Sequence, residues 1–202
     1  MNGHPVTYDV APQEETRNRL TVGFRIILAI PHILLVGGPG VGIGTGSDRT
    51  GVLGLAAGIA ALINWFIIVF TGKANKDLIS LQQFYLRWRA HALAYVALLR
   101  DEYPPFGDGD YPVEAEFPAV TEDRNRWTVG FRIILIIPQV IVLLFVMIAW
   151  VITAIIGWFA VLFSGRYPDG LWKFGEGVMR WMLRVEAYWL LLHDEYPPFS
   201  LE

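Results

Sequence analysis

Two stretches of this chain, Val52 to Phe70 and Ile133 to Phe163, contain no Lys, Arg, Asp or Glu at all. An apolar run of about 18 residues or more is long enough to cross the roughly 30 Å hydrocarbon layer of a bilayer, so these runs oppose an ordinary soluble fold. The composition agrees: 17% of residues are charged and 54% hydrophobic, with a mean hydropathy of +0.42, whereas a soluble domain carries about a quarter charged residues. The net charge of -3 gives no basic excess of the kind that binds nucleic acid, and no nucleic-acid partner is expected. The absence of cysteine removes disulfides, thiolate metal sites and cysteine nucleophiles. Met1 to Pro12 has neither a charged n-region nor an apolar h-region. A cleaved signal peptide is therefore not expected, and insertion must come from the internal segments.

The second constraint is an internal repeat. RNRLTVGFRIILAIP at Arg17 to Pro31 returns as RNRWTVGFRIILIIP at Arg124 to Pro138, with 13 of 15 positions identical at an offset of 107. Trp65 to Phe106 aligns with Trp158 to Phe199 at an offset of 93, sharing 17 of 42 positions, including the closing DEYPPF. The chain therefore reads as two tandem units, 1–106 and 107–202. The difference between the offsets gives the first unit 14 extra residues, placed in the Gly-rich insert Gly37 to Gly51, whose composition opposes helix.

FRIILAIPH and FRIILIIPQ, WFAVLFSGRYP at Trp158 to Pro168, MRWMLRVEAY at Met179 to Tyr188 and the paired DEYPPF motifs resemble a bacterial membrane-protein family of no assigned function, domain-of-unknown-function family 4389. The resemblance covers nearly the whole chain as two copies. The first copy departs from the pattern through its insert and through GKANKD in place of the GRYP-like segment. The family has no established catalytic residues to carry over, so the resemblance implies a fold and leaves function open.

The expected architecture is mainly α, a polytopic membrane protein of two tandem repeats. Each repeat begins with a short β-strand, PVTYDVAP or PVEAEFPAV, continues as a membrane-embedded helical hairpin and ends in an amphipathic interfacial helix. The polar stripe of that last helix in the second copy is Lys173, Glu176, Arg180 and Arg184, at helical spacing. The run Ile133 to Phe163 has 31 residues, or about 46 Å of helix, too long for one straight span and too short for two full ones. A hairpin accommodates the 14-residue insert at its tip, and it puts every basic residue but Arg49 on one face, whereas one crossing per unit divides them eight against seven. Two hairpins with both termini cytoplasmic are thus expected in a bacterial cytoplasmic membrane, with a single kinked helix in the second copy as the alternative.

Arg25 and Arg132 stand at matched positions at the mouth of an apolar helix. They are read as snorkelling lipid or partner contacts together with Arg180 and Arg184, or as internal partners of the acidic tails. Asp101, Glu102, Asp194 and Glu195 precede Tyr-Pro-Pro-Phe and are read as a structural clamp rather than as paired acid-base groups, because neighbouring residues on an extended chain point apart. His32, His91 and His193 lack metal-ligand spacing and are read as core histidines. The Gly-rich insert has neither of the phosphate-binding glycine patterns. With no convergent catalytic or metal-binding constellation and no cofactor implied, the expected function is a non-catalytic integral membrane accessory or scaffold protein. It would contact membrane lipid and a protein partner or a second copy of itself; a lipid transporter or lipid-modifying enzyme is the alternative.

Overall fold

The computed structural model describes residues 4–13, 16–40 and 47–202, the side chains of 47–50 excepted, so residues 41–46 of the Gly-rich insert lie outside the described residues. The chain runs β1 (Thr7–Val10), α1 (Arg19–Gly23), α2 (Arg25–Val36), α3 (Ser47–Thr71) and α4 (Lys76–Val96). It then repeats as β2 (Val113–Glu116), α5 (Arg126–Gly130), α6 (Arg132–Leu135), α7 (Ile137–Ser164) and α8 (Asp169–Trp189). It is mainly helical, and two of its helices, Gly51–Thr71 and Arg132–Ser164, are long and apolar enough to span a membrane.

Equivalent residues open and close the equivalent elements. The side chains of Asn18 and Asn125 each accept two backbone N–H groups of the helix they precede, the cap that α1 and α5 need. Phe24 and Phe131 then leave helical geometry, at φ/ψ -101/9 and -94/12, so the chain bends before restarting at Arg25 and Arg132. Gly72 and Gly165, at φ 75 and 72, end α3 and α7. This left-handed conformation suits glycine.

Among the described residues neither unit forms the expected hairpin. In the second copy α7 runs unbroken for 28 residues behind the single turn of α6. Pro138 causes no break because it occupies the first turn of α7, where its missing N–H would have had no partner. In the first copy the path of α2 resumes in α3 on the far side of the insert. Gly51 returns so close to the point of departure that a Cβ on it would lie 2.5 Å from the carbonyl of Leu35 and 2.6 Å from the nitrogen of Gly37. Its φ of 67 likewise requires glycine. Adding 107 to Gly37 and 93 to Gly51 gives the same residue, Leu144, so α2 and α3 together correspond to α6 and α7.

The two copies interlock. The backbone N–H of Arg17 donates to Gly165 at the end of α7 (2.9 Å), and that of Arg124 donates to Gly72 at the end of α3 (3.0 Å). The indole of Trp158 donates to the Val22 carbonyl and that of Trp65 to Val129, at 3.0 and 2.9 Å. Each short helix therefore packs on the long helix of the other copy, and the two long helical paths run antiparallel. The strands pair antiparallel with Tyr8 opposite Ala115, its own counterpart at offset 107. That register puts an approximate twofold axis through the Tyr8–Ala115 pair.

The same axis passes between α4 and α8. These are not interfacial helices, since most residues of both are buried and they form the centre of the main core. Of the polar stripe, Lys173 is exposed, whereas Glu176, Arg180 and Arg184 are met by protein. Val10 N–H donates to Glu176 (2.9 Å), and Arg180 donates to the carbonyl of Tyr8 (2.7 Å) and to Asp9 (2.9 Å). Arg184 donates to the carbonyls of Val6 and Glu202. On the opposite side of α8, Trp181 reaches Gln139 and Gly175 abuts Trp150. The molecule thus has three layers: ribbon, α4 with α8, and the two long apolar helices.

Candidate ligand cavity and buried ion pairs

Arg25 and Arg132, read as lipid or partner contacts, are 2% and 1% exposed and face the protein interior. Arg132 donates to the carbonyls of Tyr188 and His193, each at 2.7 Å, and to Asp194 at 2.7 Å, with its guanidinium 3.9 Å from the Tyr188 ring centroid. Arg25 repeats the arrangement with the carbonyls of Tyr95 and Arg100, with Asp101 at 2.6 Å and with the Tyr95 ring at 4.4 Å. Such a site satisfies one carbonyl in the last turn of a helix and one in the tail beyond it with a fixed cation.

Asp101 and Asp194 each take a second arginine, Arg17 at 3.1 Å and Arg124 at 2.8 Å, and the backbone N–H of Asn18 or Asn125, both at 3.0 Å. Burial opposes ionisation of both carboxyls. The neighbouring arginines outweigh it and hold both below the usual aspartate range. One acid of each DEYPPF motif therefore ties the tail to α1–α2 or α5–α6. The other does not join it: Glu102 pairs with Arg100, and Glu195 engages His193 through its backbone carbonyl only. Arg180 and Arg184 hold the ribbon and the C-terminus, as described above.

Sequence reasoning missed the ion pair buried deepest among the described residues. Arg89 of α4 donates to Glu186 of α8 at 2.8 Å, with the side chains 0% and 1% exposed. Arg89 also donates to the carbonyls of Val36 and Gly40, and Tyr85 donates its hydroxyl to Glu186 at 2.8 Å. By the offset of 93, Arg89 corresponds to Met182 and Glu186 to Leu93, both buried in the core. The signal for this pair is a departure from the repeat, a charge in one copy where the other is apolar.

Next to this pair lies a cavity of about 350 Å³. Its wall is Gly54, Leu55, Gly58, Leu62 and Trp65 of α3, and across from them stand Ile133 and the end of α8 at Trp189 and Leu190. Tyr85, Glu186 and Arg132 supply its polar atoms, and Arg132 Nε is buried without a partner. Gly54 and Gly58 correspond to Met147 and Val151, so the first copy opens space where the second carries side chains. Ile59 and Leu62, which line it, are among the exposed apolar residues of α3, so the cavity adjoins the bare apolar surface. Its walls suit hydrocarbon, and its few polar groups suit the orientation of one end of a ligand. Among the described residues there is no group of three His, Asp or Glu that could hold a metal ion.

A family model matches residues 50–107 and 126–200, one segment in each copy. The chain belongs to the DUF4389 family. That family is a domain of unknown function, so membership covers a segment in each copy of this DUF4389 chain without assigning a role. No match is found among curated proteins or solved structures.

Proposed function

We propose that this DUF4389 chain is a non-catalytic membrane accessory protein that holds a lipid hydrocarbon chain in the cavity between α3, α6 and α8. The carrying observation is the cavity's position beside the bare apolar surface, with Gly54 and Gly58 standing where the second copy has Met147 and Val151. An accessory role further implies a protein partner or a second copy, to be sought by crosslinking in the native membrane before detergent is added.

The test copies the second repeat into the first. Gly54→Met and Gly58→Val together are expected to fill the space and lower the lipid retained per chain after mild detergent purification, read by mass spectrometry of extracted lipid. Unchanged lipid in a variant of unchanged stability overturns the reading. A second reading, lipid transport, is favoured by Arg89 and Glu186, an ionisable pair beside an apolar cavity. Lipid movement between the leaflets of vesicles containing the purified protein separates it from a static role.

A further inference from the structure

We propose that the two long apolar helices lie along one face of the membrane, embedded in a single leaflet, rather than crossing it. The inference rests on the membrane reading above and goes on to its geometry.

The twofold relation makes the consequence of crossing explicit. The paths α2–α3 and α6–α7 run antiparallel around an axis that also passes through the centre of the β-ribbon. If both paths crossed the bilayer, this axis would lie in the membrane midplane and the ribbon would lie at the same depth. The ribbon carries Asp9, Glu114 and Glu116, all exposed, and an edge of β2 that, among the described residues, has no further strand beside it. Charged side chains and open strand edges are excluded from lipid hydrocarbon. Turning the axis parallel to the bilayer normal removes the conflict: the ribbon faces water and the layer of long helices faces lipid.

Length points the same way. Arg132 to Ser164 is 33 residues, or about 50 Å of helix, against a hydrocarbon layer of about 30 Å. The exposed apolar side chains do not stop at that thickness. They begin at Trp127 and Phe131 in α5 and its cap and continue through Phe145 to Phe163, and Leu20 and Phe24 do the same for the first copy. A helix lying in the plane has no such length limit.

The exposed basic residues complete the pattern. Lys73 and Arg126 stand at one end of the apolar layer, where Arg126 lies against Gly72, and Arg19 and Arg166 stand at the other, where Arg19 lies against Gly165. In the plane all four reach the headgroups of one leaflet, and the even division of basic residues between the two ends no longer conflicts with the bias towards one side of the membrane.

The chain has no cysteine, so single-cysteine variants of the full-length protein report cleanly. In sealed membrane vesicles, Lys73→Cys, Arg166→Cys and Glu114→Cys are all expected to react with an impermeant maleimide from the same side and none from the other. Nitroxides attached at Ile134→Cys, Ile148→Cys and Phe163→Cys, along the exposed side of α6–α7, are expected at one shared shallow depth by oxygen and nickel-chelate accessibility. Labelling of Lys73→Cys and Arg166→Cys from opposite sides, with the spin label at 148 deepest, overturns the in-plane arrangement and leaves the membrane reading standing. Recovery of the unmodified protein in the soluble fraction overturns the membrane reading itself.

Discussion

Replacing Glu186 by Leu restores the residue that the first copy carries at that position, yet it should be among the most damaging single changes in the protein. It leaves Arg89, 0% exposed at its side chain, without the carboxylate it pairs with among the described residues, although the carbonyls of Val36 and Gly40 still accept from it. Removing one partner of a buried pair costs about 3 to 5 kcal/mol, because an uncompensated charge stays in the interior. Arg89→Met, the converse, leaves Glu186 with only the Tyr85 hydroxyl and should cost a similar amount. The double variant removes both charges and places at this contact the Met and Leu that already occupy its symmetry-related position. Its cost should fall well below the sum of the singles, to about 1 to 2 kcal/mol, most of it from the carbonyls and the Tyr85 hydroxyl left unpaired. Adding Tyr85→Val, the residue at position 178, should recover part of that. For a chain of this size about 1 kcal/mol moves Tm by roughly 2 to 4 °C, so each single variant should melt about 6 to 20 °C lower and the double variant only about 2 to 8 °C lower. Thermal unfolding of purified protein in one mild detergent reads all four. Single-variant losses that simply add, within about 0.5 kcal/mol, would refute the reasoning, since coupling is what the geometry requires.

His193 and His4 meet edge to face at 5.1 Å between ring centroids, and burial, aided for His193 by His4 and Arg132 and for His4 by Arg184, pushes them down to about 3 and about 4. The unfolded chain therefore takes up these protons first, so stability is full above about pH 6.5 and falls as the pH drops towards the folded values. At pH 5 the cost from His193 alone is about 2 kcal/mol, and the lowered carboxyls of Asp101 and Asp194 contribute little until lower pH. A lower Tm at pH 5 than at pH 7, reduced in His193→Gln, is the expected result; a flat profile contradicts it. In the tail, Arg132→Ala and Asp194→Ala should show a coupling of about 1 to 3 kcal/mol in a double-variant cycle, whereas Glu195→Ala should add independently, because its carboxylate does not reach Arg132.

The tail contact was readable because DEYPPF and the FR pair recur together, so an arginine at the mouth of each apolar helix had a matched acid to meet. Which acid meets it was not readable: Asp194 is selected by its simultaneous fit to Arg124, Arg132 and the N–H of Asn125, a convergence of three segments. The hairpins fail for a different reason. The run from Ile133 to Phe163 was measured against bilayer thickness, which constrains a helix only if it crosses. Nothing between Gln139 and Phe163 breaks the helix, and that local fact governs. Interlocking of the copies is invisible to any periodicity, since Trp158 reaches Val22 across 136 positions. Arg89 and Glu186 could have been found by laying one copy over the other and asking where a charge faces a gap in the pattern.

That departure from the repeat also selects who can assemble with whom. Two first copies brought together around the same axis would bury two arginines opposite Leu93, and two second copies would bury two glutamates opposite Met182. Only a first copy against a second cancels the charge, and the link from Phe106 to Val113 keeps the right match at high local concentration. Homotypic pairing is thereby disfavoured at a contact where the paired side chains are 0% and 1% exposed.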